Sequence, residues 1–301
     1  MKHVTVLLNE AIEQLHIKPQ GIYVDGTLGG AGHSKHILDH LDQGFLYAFD
    51  QDSFAINYAK DILKNYTRYE IIQANFKDIK IELHRRGVEK IDGLLLDLGL
   101  SSFQIDDEAR GFTYLKDTTL DMRMDQRQTL TAEVILNTYD VDELARIFYV
   151  YGEEKNSYKI AHRIIKARPL KTTMDLVKIC DQVNFKEKGH SSKRVFQALR
   201  IAVNDELHVL ESVLRDAVSM LNPDGRLVVI TFHSLEDRIV KHFFRDESEG
   251  DPILKKLPIA GYMGSEVEIV TRKPIYPSAE EIALNSRSKS AKLRALKRRS
   301  L

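Results

Sequence analysis

Ile22-Tyr23-Val24-Asp25-Gly26-Thr27-Leu28-Gly29-Gly30-Ala31-Gly32-His33-Ser34 is the stretch on which the fold turns. A short apolar run ends on an acid, passes through glycines, and leads into Ser34–Leu41, which reads as a helix. A strand, a glycine turn and a helix open a parallel sheet, because backbone without Cβ turns tightly and lets a ligand approach closely. The pattern repeats outward. Phe45–Phe49, Tyr69–Ile72 and Leu94–Leu96 are further apolar runs, with helical patterns over Ser53–Tyr66 and Lys77–Arg86 between them. Strands that are apolar nearly throughout are covered on both faces, so the expected core is a mostly parallel α/β sheet with right-handed crossovers. A later strand, Leu227–Phe232, follows the turn Asn222-Pro223-Asp224-Gly225; Val267–Arg272 and Ala291–Arg298 are candidates for two more.

Between Ile105 and about Asn204 strand signals give way to capped helices. Asp140-Val141-Asp142-Glu143 and Thr172-Thr173-Met174-Asp175 have the form of helix starts, the acid three residues on reaching back to the cap. Leu199, Val203, Leu207, Leu210, Leu214, Ala217 and Leu221 recur in steps of three and four, which predicts one long helix face re-entering the main domain. The expected division is therefore 1–104 with 205–301 as one domain, and 105–204 as a helical insertion.

Composition narrows the class. The 301 residues are 43% hydrophobic, enough for a sizeable core. No apolar run reaches the roughly 20 residues that span a bilayer. The start, MKHVTVLLNEAIEQL, is charged at Lys2, Glu10 and Glu13 and does not read as a signal peptide. The single cysteine, Cys180, excludes an internal disulfide framework and fits a reducing compartment, so the expected location is cytoplasmic. Net charge is zero, with 44 basic and 44 acidic residues, but the charges are unevenly placed. Lys155–Lys171 holds six Lys/Arg and no acid, and after Glu281 only basic charges follow, from Arg287 to Arg299. Charge alone leaves two readings open: surface that neutralises phosphates, or a solvated helix face plus a frayed tail.

Ligands of open α/β sheets sit beyond the carboxyl ends of the strands. The first strand ends at Asp25, the second at Asp50 with Asp52 behind it, and the third near Asn75-Phe76. The fourth ends at Asp97, before Leu98-Gly99-Leu100-Ser101-Ser102, and the fifth at Thr231-Phe232-His233-Ser234. An acid closing the second strand can accept both hydroxyls of a ribose, which fits NAD as well as S-adenosylmethionine. His33, His36 and His40 have helical spacing but no companion carboxylate or cysteine in a ligand pattern. No zinc is expected; His36 and His40 are expected to face solvent.

At DGTLGGAGHS (Asp25–Ser34) together with DLGLSS (Asp97–Ser102), the chain closely resembles the RsmH family, formerly called MraW, the small-subunit ribosomal RNA methyltransferases. His3–Ala11, Arg110–Phe112, Leu120–Asp125, Tyr151–Glu154, Phe196–Leu207 and Thr231–Lys241 match in family order. The resemblance implies a class I, Rossmann-like methyltransferase interrupted by a helical substrate-recognition domain. It also implies S-adenosylmethionine as cofactor and N4-methylation of a cytidine in the decoding region of 16S ribosomal RNA. Carried over by position, Ala31, Gly32 and His33 line the methionine side of the cofactor, Asp50 binds its ribose and Phe76 packs near the adenine. Asp97 and Gln104 take the remaining cofactor positions. Ala31 stands where relatives usually have glycine, which is tolerable if φ there is negative. Leu100 replaces the family's common valine, and Phe103 and Ile105 flank Gln104 where proline and leucine are frequent.

Asp97 is also the expected catalytic residue, orienting the target amine or the cofactor's own amine, with the Leu98–Leu100 backbone as further acceptors. Toward substrate the sequence offers Arg123 between Asp121 and Asp125, the helix with Lys159, Arg163 and Lys166, and His233 with Ser234 after the fifth strand. The Asp121–Asp125 charges read rather more readily as a salt-bridged loop anchoring the insertion, and Ser234 also as a helix cap with Asp237 three residues on. The expected partner is 16S ribosomal RNA, in a late small-subunit particle; a homodimer is left open and no membrane is expected. An NAD(P)-linked oxidoreductase and a DNA amino-methyltransferase are the alternatives, one lacking a hydride-transfer acid or base here, the other its proline loop.

Overall fold

The structure, a computed structural model, describes residues 5–186, 189–250 and 265–300; His3 and Val4 of the matching N-terminal segment lie outside them. The chain forms two compact units, Met1–Gly99 with Leu207–Leu301, and Leu100–Glu206. The first opens with α1 (Leu8–Leu15), β1 (Ile22–Asp25), α2 (Gly32–His40), β2 (Phe45–Asp50), α3 (Ser53–Leu63), β3 (Tyr69–Gln73), α4 (Ile79–His84) and β4 (Ile91–Asp97). Then come α5 (Ser102–Asp106), α6 (Ala132–Thr138), α7 (Val141–Gly152), α8 (Ser157–Ala167), α9 (Thr173–Asn184) and α10 (Lys193–Asn204). The chain ends with α11 (Glu206–Met220), β5 (Leu221–Thr231), α12 (Ser234–Glu249), β6 (Val267–Ile269), α13 (Ala279–Leu284) and β7 (Lys292–Arg298).

The sheet runs β3-β2-β1-β4-β5-β7-β6. β1 to β5 are mutually parallel, while β7 lies antiparallel to β5 and β6 antiparallel to β7. Strand order reverses at the β1–β4 pair, which puts the natural ligand crevice beyond Asp25 and Asp97. The period of two explains the apolar runs. On β4, Leu94 and Leu96 pack with Ile79, Leu214 and Phe244 on one face of the sheet. Leu95 packs with Leu15, Ile37 and Ala59 on the other.

The helical unit has a core of its own around Phe148, Ile160, Leu176, Phe196 and Leu199. Its helices start where the sequence indicated: Asp140 and Glu143 form a reciprocal capping box, as do Thr172 and Asp175. The long periodic pattern from Leu199 to Leu221 is not one helix, however. Asp205 adopts a left-handed conformation at φ 51° and ends α10 before α11 begins. The spacing survives the break because each segment keeps its apolar stripe, Val195 and Leu199 in the helical core, Leu210 and Leu214 in the sheet core.

Two expectations about the carboxyl-terminal region change. β5 starts at Leu221 and carries the Asn222–Gly225 turn as an irregularity opposite Ile91 and Gly93, with Asp224 at φ 62°. From Lys292 to Arg298 the basic tail is not frayed: it is β7, and its cations there are paired. Lys292 and Arg294 pair with Asp237 at 2.9 and 2.7 Å, Lys297 with Glu268 at 2.9 Å, and Arg298 with Glu266 at 2.8 Å. Arg287 and Lys289 precede it, exposed in the short 3-10 turn Ser286–Ser290. No helix among the described residues is long and apolar enough to cross a membrane.

Candidate functional site

Three carboxylates end β1, β2 and β4, and their hydrogen bonds assign them different work. Asp25 is fully buried, with Oδ1 accepting the Thr27 N–H at 3.0 Å and Oδ2 accepting the Ser34 hydroxyl at 2.6 Å. It therefore pins both ends of the glycine turn. Asp50 Oδ1 accepts the Asp52 N–H at 2.8 Å and its Oδ2 the Gly29 N–H at 2.9 Å. Burial outweighs these bonds and pushes the Asp50 carboxyl up to about 6.

Asp97 differs from both. Its backbone N–H donates to Thr27 Oγ1 at 2.7 Å, which ties β4 to the glycine turn. Its Oδ2 lies 3.6 Å from His33 Nδ1, while Oδ1 is buried and has no hydrogen-bond partner among the described residues. Desolvation, followed by the charges of Asp25, Glu236 and Glu281, holds its carboxyl well above the usual range. Converging acids around an unsatisfied oxygen form a site that favours a cation or an N–H donor.

The glycine turn explains how close a ligand can come. A Cβ on Gly32 would lie 1.8 Å from Thr5 Oγ1, so only glycine lets the amino-terminal segment cross there. Gly99, just beyond Asp97, sits at φ 102° against the Phe232 ring. Ala31 does not have the negative φ under which alanine would replace glycine without strain. It is fully buried at φ 59°, ψ 17°, because the chain must reverse into α2 at that point. A left-handed alanine costs about 1–2 kcal/mol.

His33 is not in the loop but in the first turn of α2, 4% exposed, with Nε2 3.1 Å from the Val6 carbonyl. His36 is half-buried rather than solvent-facing, its Nδ1 3.1 Å from the Gly32 carbonyl one helical turn back; His40 is exposed. Phe76 opens a short 3-10 turn, Phe76–Asp78, next to Gly26 at the edge of β1.

After β5 the cap is His233, not Ser234. His233 is extended, at φ −139° and ψ 165°, and the helix already begins at Ser234, one residue earlier than a serine cap requires. Glu236 N–H donates to His233 Nδ1 at 3.4 Å, and Glu236 Oε2 accepts the N–H of Phe232 and of His233 at 2.8 and 3.2 Å. Ser234 is exposed.

In the helical unit, Gln104 closes a capping box with Ser101, its Oε1 accepting the Ser101 N–H at 3.1 Å. Arg123 is held internally. It forks onto Asp121 through Nε and Nη2, both at 2.8 Å, and donates through Nη1 to the carbonyls of Gln126 and Gln128. Arg110 and Asn204 hold the same loop by its Arg123, Met124 and Met122 carbonyls. Asp125 forks onto Arg127. The alternating charges are an anchor. Lys159, Arg163 and Lys166 instead stand exposed on α8, beside His162 and Tyr158, with Arg163 also bonded to Gln182.

In the sequence Glu281 stands out only as the last acid before the basic tail, not as a site residue. It sits on the short α13, and nothing in its local pattern signals a role; the C-terminal strands bring it to the site, where its charge acts on Asp97.

Residues 1–299 match the model of a family described as the MraW methylase family. The chain is 55% identical over 300 residues to ribosomal RNA small subunit methyltransferase H 1 of Acholeplasma laidlawii, covering 100% of both chains. It is 47% identical over 303 residues to ribosomal RNA small subunit methyltransferase H of Finegoldia magna, covering 97% of both. A crystal structure of an rRNA methylase from Streptococcus thermophilus superposes on 97% of this chain and 93% of its own with TM-score 0.45 at 11% identity, too distant to bear on the site.

Proposed function

We propose, from the premise that the chain belongs to the MraW methylase family, that it moves a methyl group from S-adenosylmethionine to a cytidine N4 in 16S ribosomal RNA. The target lies in the decoding region, and the substrate is the small subunit late in assembly. The relatives' names support the substrate, and they support neither an NAD(P)-linked oxidoreductase nor a DNA amino-methyltransferase.

The observation that carries the reading is the buried, unsatisfied Oδ1 of Asp97 at the switch in strand order, among acids, a setting that a positive ligand or an N–H donor relieves. When bound, the donor supplies a methyl carbon made electrophilic by the adjoining sulfonium. Asp50 accepts the ribose hydroxyls, Phe76 flanks the adenine, and Ala31, Gly32 and His33 line the methionine side. Asp97 holds an N–H of the target amine, whose lone pair is otherwise delocalised into the ring. It would accept that proton as the amine is methylated, so that positive charge does not build up on the nitrogen. A carboxylate raised by burial is the better base for this step. His233 and Ser234 border the entry of the extruded base, and Lys159, Arg163 and Lys166 neutralise phosphates.

The test is to incubate the protein with methyl-labelled donor and small subunits from cells lacking it, then identify the labelled nucleoside by mass spectrometry. Label in N4-methylcytidine, absent with Asp97→Asn, is expected. Label in another nucleoside, or undiminished transfer by the variant, would overturn the reading.

A further inference from the structure

The amino-terminal segment is held over the glycine turn by a residue from the other end of the chain. Glu281 Oε1 accepts the Leu7 N–H at 2.9 Å. Leu7 is fully buried and left-handed, at φ 50°, ψ 38°, and precedes α1 as a cap with no side-chain hydrogen bond of its own. An L-residue held in that region is strained, so the conformation persists only where surrounding contacts enforce it. Here those contacts are the burial of the leucine side chain and the carboxylate on its N–H.

The turn at Leu7 aims the preceding carbonyl, that of Val6, at His33 Nε2, 3.1 Å away. A carbonyl oxygen only accepts, so the hydrogen between them belongs to Nε2. In a neutral ring Nδ1 then carries a lone pair, and Nδ1 is the atom that faces Asp97 Oδ2 at 3.6 Å. The opposite tautomer would set the Nε2 lone pair against the Val6 oxygen, which at 3.1 Å is closer to the ring than Asp97 Oδ2 is at 3.6 Å, so the nearer carbonyl claims the ring hydrogen. The tautomer of His33 is thus decided by where Val6 is, and Val6 is where Leu7 and Glu281 put it.

We propose that Glu281 is a positioning residue for methyl transfer, acting through Leu7 and Val6 to keep the His33 proton on Nε2 and its Nδ1 toward Asp97. The inference rests on Asp97 being the group that meets the target amine. With this tautomer one proton can be held between His33 Nδ1 and Asp97 Oδ2. The amine proton released at transfer passes to Asp97 and is stabilised there by Nδ1 as acceptor. With the other tautomer Nδ1 would already carry a hydrogen and could not accept. Among the described residues, the other charged groups that act on Asp97 are acids, Asp25 from β1, Glu236 from α12 and Glu281 from α13, and Glu10 is the charged neighbour of Glu281 itself. His33 is the one nitrogen base beside Asp97 among the described residues that act on it.

The test reads the tautomer directly. Two-bond proton–nitrogen correlation spectra of full-length protein carrying 15N-histidine report which ring nitrogen holds hydrogen, with the His33 signals assigned by their loss in His33→Gln. Wild type is expected to hold the proton on Nε2 at neutral pH with no substrate present. Glu281→Ala is expected to give a mixture of tautomers and a kcat about ten to a hundredfold lower, with donor affinity within about twofold. Glu281→Gln keeps an oxygen for the Leu7 N–H without the charge, and is expected to restore both the tautomer and most of kcat. A proton on Nδ1 in wild type overturns the proposal, as does a Glu281→Ala variant with tautomer and kcat both unchanged. Loss of kcat in Glu281→Gln equal to that in Glu281→Ala, with the tautomer intact, would also overturn it, because charge and not position would then be the cause. The tautomer is read on the protein alone, so it is decided independently of which nucleoside is methylated.

Discussion

Asp50 Oδ2 accepts the backbone N–H of Gly29 at 2.9 Å, so the carboxylate that ends β2 also closes the glycine turn that follows β1. Its partner oxygen holds the Asp52 N–H at 2.8 Å, and burial raises its carboxyl to about 6. A folded-state value above the unfolded one stabilises the protein at low pH. That contribution is complete below about 4 and lost as pH rises through about 6. Ribose hydroxyls need the ionised form, so the proton competes with the ligand. Affinity for S-adenosylhomocysteine should fall as pH drops from about 7 through about 6. In titration calorimetry Asp50→Asn should bind weakly throughout, with no inflection. An inflection that persists in the variant would assign the titration to another group.

Asp97→Asn should separate activity from stability. The buried, unsatisfied Oδ1 among three acids makes the carboxylate costly to the unliganded fold, so an amide should leave the melting temperature unchanged or higher. Transfer should fall by about a hundredfold or more, the usual scale for a lost charge-stabilising group. Calorimetric melting beside single-turnover transfer measures both. A large drop in melting temperature would instead make Asp97 a structural residue.

Gly32→Ala should damage the site sterically. The new Cβ would lie 1.8 Å from Thr5 Oγ1, and overpacking of this kind costs about 1–3 kcal/mol. Adding Thr5→Ala removes that oxygen but not the Thr5 Cβ at 3.0 Å, so part of the loss should return. Denaturant unfolding of the two single variants and the double variant decides it. Purely additive effects would place the strain elsewhere.

The two basic candidates of the helical unit should behave oppositely. Lys159, Arg163 and Lys166 are exposed on α8, so Gln at all three should leave stability intact. RNA binding should weaken, and the dependence of log affinity on log salt should lose a slope of about 2–3. Arg123→Ala should unfold the protein more easily by about 1–3 kcal/mol, because it leaves Asp121 with only the backbone N–H of residue 123 and two loop carbonyls without their side-chain donor. An unchanged salt slope in the α8 variant would remove that helix from the RNA interface.

Ala31 carries a further expectation. At φ 59° a methyl side chain is tolerated and a β-branched one is not, so Ala31→Val should cost about 3 kcal/mol or more. Ala31→Gly should change stability by less than about 1 kcal/mol, since relief of strain offsets the greater freedom of the unfolded chain. Thermal unfolding of the pair checks both.

What the sequence determined by itself was local. Apolar runs of strand length, each followed by a turn and a helical pattern, specify buried parallel strands whatever lies around them, because a strand covered on both faces leaves no polar position. The acids ending β1, β2 and β4 were legible for the same reason, as were the caps at Asp140 and Thr172, which act within four residues. The tertiary structure decided everything that depends on distant chain. It settled that Asp25 and Asp50 are satisfied while one oxygen of Asp97 is not, and that the basic tail from Lys292 to Arg298 is a strand with paired cations. It set Ala31 left-handed and moved the α12 cap to His233. It also brought Val6 and Glu281 from opposite ends of the chain to the groups beside Asp97. Hydrogen bonds across such separations leave no periodic trace, since the residue types at both ends are common and only folding brings them within reach.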